Sequence, residues 1–262
     1  MAASEGKRGR IEKLHIGTMG WSYGFWVGSF YPEKLKPKAF LAEYAKHFDT
    51  VELDNTFYRI PSTNTVKAWR EQTPERFLFS AKFPRIITHI KMLRDCEREV
   101  DTFLSRMSQL QNKLGALLLQ FPSSFGTKHF QDLQQFLSAL PKGYRYAVEV
   151  RNKDWAGEKL GSLLRENGAA QVSVGQPVLE VTAEFAYMRW EGDRSKVNGT
   201  LGKVEVDRKE DIAKVAVGVK NLLDQHLEVF GYFSKYYSGY PPNDAEQLLT
   251  YCNEAQFSTH IK

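Results

Sequence analysis

The sequence predicts a single (β/α)8 barrel of the α/β class, on three observations: its length, the alternation of strand-like with helix-like segments, and the number of strand-like runs. At 262 residues the chain matches the roughly 250 residues typical of one such barrel. Short β-branched and aromatic runs alternate with stretches carrying apolar residues at helical spacing, the pattern of parallel strands joined by crossover helices. Eight runs qualify as strands: residues 14–19, 50–56, 77–83, 115–121, 145–151, 170–174, 185–190 and 229–235.

The intervening segments read as helices with one apolar face. Val100, Phe103, Leu104, Met107 and Leu110 form one stripe, and Ile212, Val215, Ala216, Val219, Leu222 and Leu223 form another, each suited to packing on a sheet. Pro37 fits a first helical turn, Ser62, Thr127 and Asp207 fit helix caps, and Gly168 fits a helix end. The link 175–184 is too short for a full helix and is predicted as an irregular turn. Residues 191–206 form the longest irregular insertion, a lid candidate above the carboxyl ends of the strands. With no repeat or linker in between, the predicted organisation is a basic, disordered tail over 1–13 and one barrel domain over 14–262.

Composition narrows the class. Hydrophobic residues make up 42% of the chain, enough for a core without metal or disulfide staples. Cys96 and Cys252 are far apart and lack CxxC or Cys/His spacing, which argues against a disulfide framework and a zinc site. No apolar run is long enough to cross a bilayer, so a cytoplasmic location is expected, and no membrane partner. The net charge of +5 and pI near 9.0 favour anionic partners, although Lys7, Arg8, Arg10 and Lys13 in the tail supply much of the excess. No P-loop, GxGxxG, GxSxG or HExxH motif occurs. The six histidines are scattered, which disfavours a multinuclear metal centre.

Side chains alternate across a strand, so one parity faces the helices and the other the barrel interior. In five runs the parity opposite the apolar one carries polar residues near the carboxyl end. These are Glu52 and Asp54, Ser80 and Lys82, Gln120, Glu149 and Arg151, and Arg189 with Glu191. A buried ion costs several kcal/mol unless paired or hydrated. The inner charges must therefore brace one another or face a wet mouth that takes a ligand.

The segments Ile16-Gly17-Thr18-Met19-Gly20-Trp21-Ser22-Tyr23, His47-Phe48-Asp49-Thr50-Val51-Glu52, Asn55-Thr56-Phe57-Tyr58, Lys82-Phe83-Pro84-Arg85, Ile87-Thr88-His89, Gln120-Phe121-Pro122 and Tyr146-Ala147-Val148-Glu149-Val150-Arg151 resemble the YecE-like family, domain of unknown function 72. The likeness runs from about residue 14 to about residue 250. It implies a TIM-type barrel and no settled activity, with nucleic-acid binding suggested for some members. Ser234-Lys235 stand where the family usually has two asparagines, and Tyr240 where a histidine is common.

On these grounds Lys82, Arg151 and Arg189 are predicted to hold an anionic group, with Arg85 and Lys235 nearby, because guanidinium forks match oxyanion geometry. Glu149 is the first candidate for general acid or base and Glu52 the second, with His89 as a proton shuttle. Gln120, Asn55, Tyr58 and Trp21 complete the predicted substrate set. The sequence names no cofactor, and a single Mg2+ or Mn2+ on Glu52, Asp54 or Glu149 stays open. The readings carried forward are an enzyme acting on a phosphate-bearing substrate, a non-catalytic nucleic-acid or metabolite binder, a metal-assisted phosphodiesterase, and a scaffold whose inner charges only brace one another.

Overall fold

The computed structural model describes residues 11–175 and 180–259, with side chains to Glu254. Residues 1–10, most of the predicted tail, lie outside them. Ile11 to Lys13 instead form a turn into the first strand: the Leu14 N–H donates to the Ile11 carbonyl, and Lys13 Nζ donates to the His226 carbonyl at 2.8 Å.

Eight parallel strands follow one another in space in chain order. They are β1 (Leu14–Thr18), β2 (Thr50–Leu53), β3 (Leu78–Lys82), β4 (Leu114–Gln120), β5 (Arg145–Glu149), β6 (Ala170–Val174), β7 (Phe185–Trp190) and β8 (Glu228–Phe233), and β8 pairs with β1. Among the described residues seven α-helices lie between and after them: α1 (Phe40–His47), α2 (Thr63–Glu71), α3 (Glu97–Met107), α4 (Phe130–Ala139), α5 (Glu158–Glu166), α6 (Lys209–Asp224) and α7 (Pro241–Thr259). The result is a (β/α)8 barrel. Of the link 175–184, Gly175 and residues 180–184 carry no helix, and 176–179 lie outside the described residues. Among the described residues no helix is long and apolar enough to cross a membrane.

Local signals explain most boundaries. Ser62 Oγ accepts from the Thr65 N–H at 3.1 Å at the start of α2, the expected cap. Asp207 Oδ1 accepts from the Lys209 N–H at 2.9 Å as α6 begins. Pro37 opens a 3-10 turn leading into α1. Thr127 does not cap α4: it opens a 3-10 turn, Thr127–His129, and His129 is the residue preceding the helix. The last residues predicted for β2 and β8 also leave the sheet, because Asn55–Phe57 is a 3-10 turn and β8 ends at Phe233.

Two places close the barrel with side chains. The ladder fails between β1 and β2, where only a bridge joins Met19 to Glu52. Into that seam α1 inserts the Tyr44 hydroxyl, which accepts from the Thr18 N–H at 2.9 Å and donates to the Thr50 carbonyl at 3.0 Å. Gly17 makes room, since a Cβ there would lie 2.2 Å from the Thr50 carbonyl oxygen. Between β3 and β4 the register shifts, and the Ala116 N–H donates to Ser80 Oγ at 3.1 Å.

The parity reading holds. Val51, Leu53, Phe79, Leu117, Leu119, Tyr146, Val148, Met188 and Trp190 belong to the large core between strands and helices. Ala116, Leu118, Ala147, Val172, Tyr187, Phe230 and Tyr232 form a second, smaller core inside the barrel. Above that inner plug, towards the carboxyl ends of the strands, the interior turns charged.

Candidate functional site at the carboxyl ends of the strands

One cation organises the floor. Arg189, on β7, is 2% exposed and donates from Nε and Nη2 to the two carboxylate oxygens of Glu52 on β2, each at 3.0 Å. Its Nη1 donates to Glu149 on β5 and to Glu191 just past β7, both at 2.6 Å. Glu149 is then saturated. Its Oε1 accepts from Gln120 Nε2 at 2.8 Å and Arg151 Nε at 3.0 Å, while Arg151 Nη2 reaches the Glu191 carboxylate at 2.9 Å. Tyr187, one turn of the pleat below Arg189, donates its hydroxyl to Glu52 Oε1 at 2.8 Å.

The protonation states follow from this sharing. Burial pushes Glu52 up to about 7, helped by Asp54 and opposed by Arg189, because Arg189 serves several carboxylates at once. Burial also acts against charge on Glu149, but Arg189, Arg151 and the Gln120 amide outweigh it and hold that carboxyl below its usual range. On Arg189 itself burial is outdone by Glu52, Glu149, Asp54 and Glu191, which keep the guanidinium charged.

Above the floor opens a cavity of about 610 Å³, a size suited to a small ligand. Lys82, Arg85, Arg151, Arg189, Arg194 and Lys235 line it, against the carboxylates Asp54 and Glu191, together with Tyr23, Phe57, Tyr58, His89 and Tyr236. Among the described residues, Lys82, Arg85, Arg194 and Lys235 have no carboxylate within ion-pair distance. Lys82 is 8% exposed and its Nζ lies 4.1 Å from the centre of the Phe57 ring. A cation on a ring face gains about 0.5–2 kcal/mol, less than the several kcal/mol of burying an ion without a counter-charge. Burial accordingly lowers the Lys82 ammonium below its usual range, with Asp54 acting in the opposite sense. His89, edge-on to Phe57 at 4.9 Å, is lowered to about 4 by burial and by Lys82, Arg151 and Arg85, so it is neutral near pH 7. Asp54 Oδ1 is buried without a hydrogen-bond partner.

The family profile described as "Protein of unknown function DUF72" matches residues 15–261. The chain belongs to the DUF72 family. It is 39% identical over 169 residues to the UPF0759 protein YecE of Escherichia coli O157:H7, a stretch covering 64% of this chain and 59% of that protein. It is 30% identical over 153 residues to the UPF0759 protein YunF of Bacillus subtilis, covering 54% and 52%. Each match therefore spans little more than half of the relative's own length. A DUF72 family protein from Thermotoga maritima superposes with a TM-score of 0.71 at 26% identity, covering 93% of this chain and 99% of the other. One from Enterococcus faecalis reaches 0.69 at 23% identity over 92% and 95%, a likeness of fold alone.

In this DUF72 barrel the residues singled out from sequence divide into three groups. Lys82, Arg151, Arg189, Gln120, His89, Tyr58 and Lys235 meet at the cavity. Glu149 and Glu52 are part of the same cluster but lie beneath its surface, 2% and 0% exposed, with their oxygens committed to donors. Trp21 and Asn55 are not brought there: Trp21 is buried in the outer core, edge-on to Trp69 at 5.7 Å, and Asn55 is exposed on the turn after β2. Of the first-loop aromatics only Tyr23 reaches the cavity, while Trp26, Phe30 and Tyr31 pack beside α1. The carboxylates named for a divalent ion, Glu52, Asp54 and Glu149, each lie within ion-pair distance of Arg189. Among the described residues no three His, Cys, Asp or Glu side chains group as metal ligands.

Phe57, Arg194 and Tyr236 also line the cavity and are not among the candidates that the sequence singles out. Arg194 sits in the long insertion after β7, whose placement over the mouth was legible, and Tyr236 follows β8. That insertion is tied down. The Asn198 and Gly199 N–H groups donate to the Glu205 carboxylate, and the Glu205 N–H donates to the Ser238 carbonyl at 2.7 Å. A larger groove, about 960 Å³, runs between α4 and α5; its charged residues are solvent-exposed and it lies on the helix layer, away from the strand ends.

Proposed function

We propose that the cavity binds a small phosphate-bearing molecule, with Lys82, Arg85, Arg194 and Lys235 as the groups that meet the anion. The observation that carries this is the excess of unpaired cations: these four share one cavity without carboxylate partners, whereas Arg189 and Arg151 are already neutralised. An oxyanion would supply the missing counter-charge. In this reading Arg189 is a brace that sets the floor rather than a ligand for the anion, and Glu149, held ionised and saturated, is a positioning residue rather than a proton carrier.

A second reading, binding of single-stranded nucleic acid across the mouth, is favoured by Tyr58, which is 76% exposed and lines the same cavity as Arg85. An exposed ring beside cations can stack a base. Calorimetry with phosphate monoesters and their dephosphorylated counterparts tests the first reading. Phosphorylated compounds bind and the others do not, and Arg85→Ala and Lys235→Ala each weaken binding about tenfold, on the scale of about 1.4 kcal/mol per lost charge-assisted contact. Equal affinity for both sets would end it. Tight binding of oligonucleotides with a steep salt dependence, lost in Tyr58→Ala, would favour the second.

A further inference from the structure

Lys82 differs from the other unpaired cations of the cavity. Arg85 and Arg194 are exposed and Lys235 is half-buried, so solvent can carry their charge, but Lys82 is 8% exposed. It stands at the carboxyl end of β3 with Phe57 against its ammonium and no carboxylate at ion-pair distance. The charges that face it are Glu52 and Asp54 from the second strand and its loop, Glu149 from β5 and Arg189 from β7. Glu52, Glu149 and Arg189 are bound to one another beneath the floor, and a single ring face offsets only part of the cost of a buried ammonium. An amine in that setting gives up its proton more readily than a solvated lysine does, and a neutral amine facing a cavity is a nucleophile.

We propose that Lys82 Nζ forms an imine with the carbonyl carbon of an aldehyde or ketone that also carries a phosphate group. This rests on the anion reading above, in which Arg85, Arg194 and Lys235 seat the phosphate while Lys82 has given up its proton. The amine lone pair attacks the carbonyl carbon and a C–N bond forms, while the carbonyl oxygen takes up a proton and the nitrogen releases one. The C–O bond of this carbinolamine then breaks as the nitrogen lone pair closes the C=N bond, and the oxygen leaves as water with the second amine proton. The balance is amine plus carbonyl giving imine plus water, with no oxidant or reductant. Asp54 also lines the cavity; it lies beyond ion-pair distance of Lys82 and takes and returns the proton through the solvent in the cavity. His89, neutral beside Phe57, is the second acceptor on that wall.

The test uses the unmodified full chain. It is incubated with limiting pyridoxal 5′-phosphate, reduced with borohydride and mapped by peptide mass spectrometry, in parallel with pyridoxal, which lacks the phosphate. Lys82 is expected to be labelled at least tenfold more than any exposed lysine, with pyridoxal labelling it less and inorganic phosphate protecting it. The imine absorbance should disappear in Lys82→Arg. Labelling of Lys82 no greater than that of surface lysines overturns the proposal. Calorimetry with inorganic phosphate separates the two ideas. If phosphate binds and Lys82 stays unlabelled, the imine falls and the anion site stands. If Lys82 is labelled equally by both aldehydes and phosphate neither binds nor protects, the anion reading falls together with the phosphate-bearing part of this proposal.

Discussion

Arg189 meets Glu52 through two parallel hydrogen bonds of 3.0 Å, from Nε and Nη2 to the two carboxylate oxygens, with both side chains essentially without solvent contact. A buried pair of this kind adds little net stability, but removing one partner strands the other. Arg189→Met should cost about 3–5 kcal/mol, since Glu52, Glu149 and Glu191 all lose a donor. The double variant Glu52→Leu/Arg189→Met should lose less than the two single variants together. Urea unfolding of the four proteins measures the coupling, and strict additivity would contradict the pairing.

The same pair governs a pH response. Glu52 is raised from 4.5 to about 7 in the folded chain, so between those values the folded state keeps a proton that the unfolded state has lost. Its contribution is fully present below about 4.5 and fades as pH rises through about 7. Asp244, raised by burial to about 7 against a hydrogen bond from Ser238, works in the same sense, while Glu149, lowered, acts only in acid. The informative quantity is thus a difference. Wild type should lose up to about 3 kcal/mol relative to Glu52→Gln between pH 4.5 and 7, measured by unfolding at each pH. A constant difference across that window would remove the shift.

This cluster also shows how far the sequence could be read. Alternation placed Glu52, Lys82, Gln120, Glu149, Arg151 and Arg189 on inward faces, because strand periodicity is geometric and survives without coordinates. It could not say which charges pair with which. That depends on strand register around the barrel, which brings Glu52 and Arg189 together across 137 positions of sequence and leaves Lys82 without a carboxylate. Trp21 misled for the same reason: its loop lies at the mouth, but its ring turns outward to Trp69. Arg194 and Tyr236 belong to irregular segments, where no period tells which side chain faces in.

At the seam between β1 and β2, one hydroxyl stands in for a ladder rung. Tyr44→Phe would leave the Thr18 N–H and the Thr50 carbonyl without that partner in a dry interior. An unsatisfied buried polar group costs about 1–3 kcal/mol, so this single-atom deletion should destabilise by at least about 2 kcal/mol. Amide exchange at Thr18 should quicken more than at Ile16, whose neighbours keep their β8 pairing. Unchanged protection at Thr18 would show that the seam does not depend on Tyr44.

The cavity mouth depends on a close backbone contact between the loops that follow β7 and β8. A Cβ built on Gly192 would lie 1.5 Å from the Tyr236 carbonyl oxygen and 2.1 Å from its carbon, and neither backbone atom can swing aside as a side-chain tip would. Gly192→Ala must therefore part the two loops, carrying with them Glu191, which pairs with Arg151 and Arg189, and the cavity residues Arg194 and Tyr236. Overpacking of this kind costs about 1–3 kcal/mol. Phosphate affinity should fall about tenfold or more, on the scale of 1.4 kcal/mol per decade, because the cations on the two loops no longer converge. Gly24→Ala, where an added Cβ meets nothing within 4 Å, should stay within about 0.5 kcal/mol of wild type. Thermal unfolding with and without phosphate measures both effects. Equal behaviour of the two variants would mean that the loops do not hold the mouth in place.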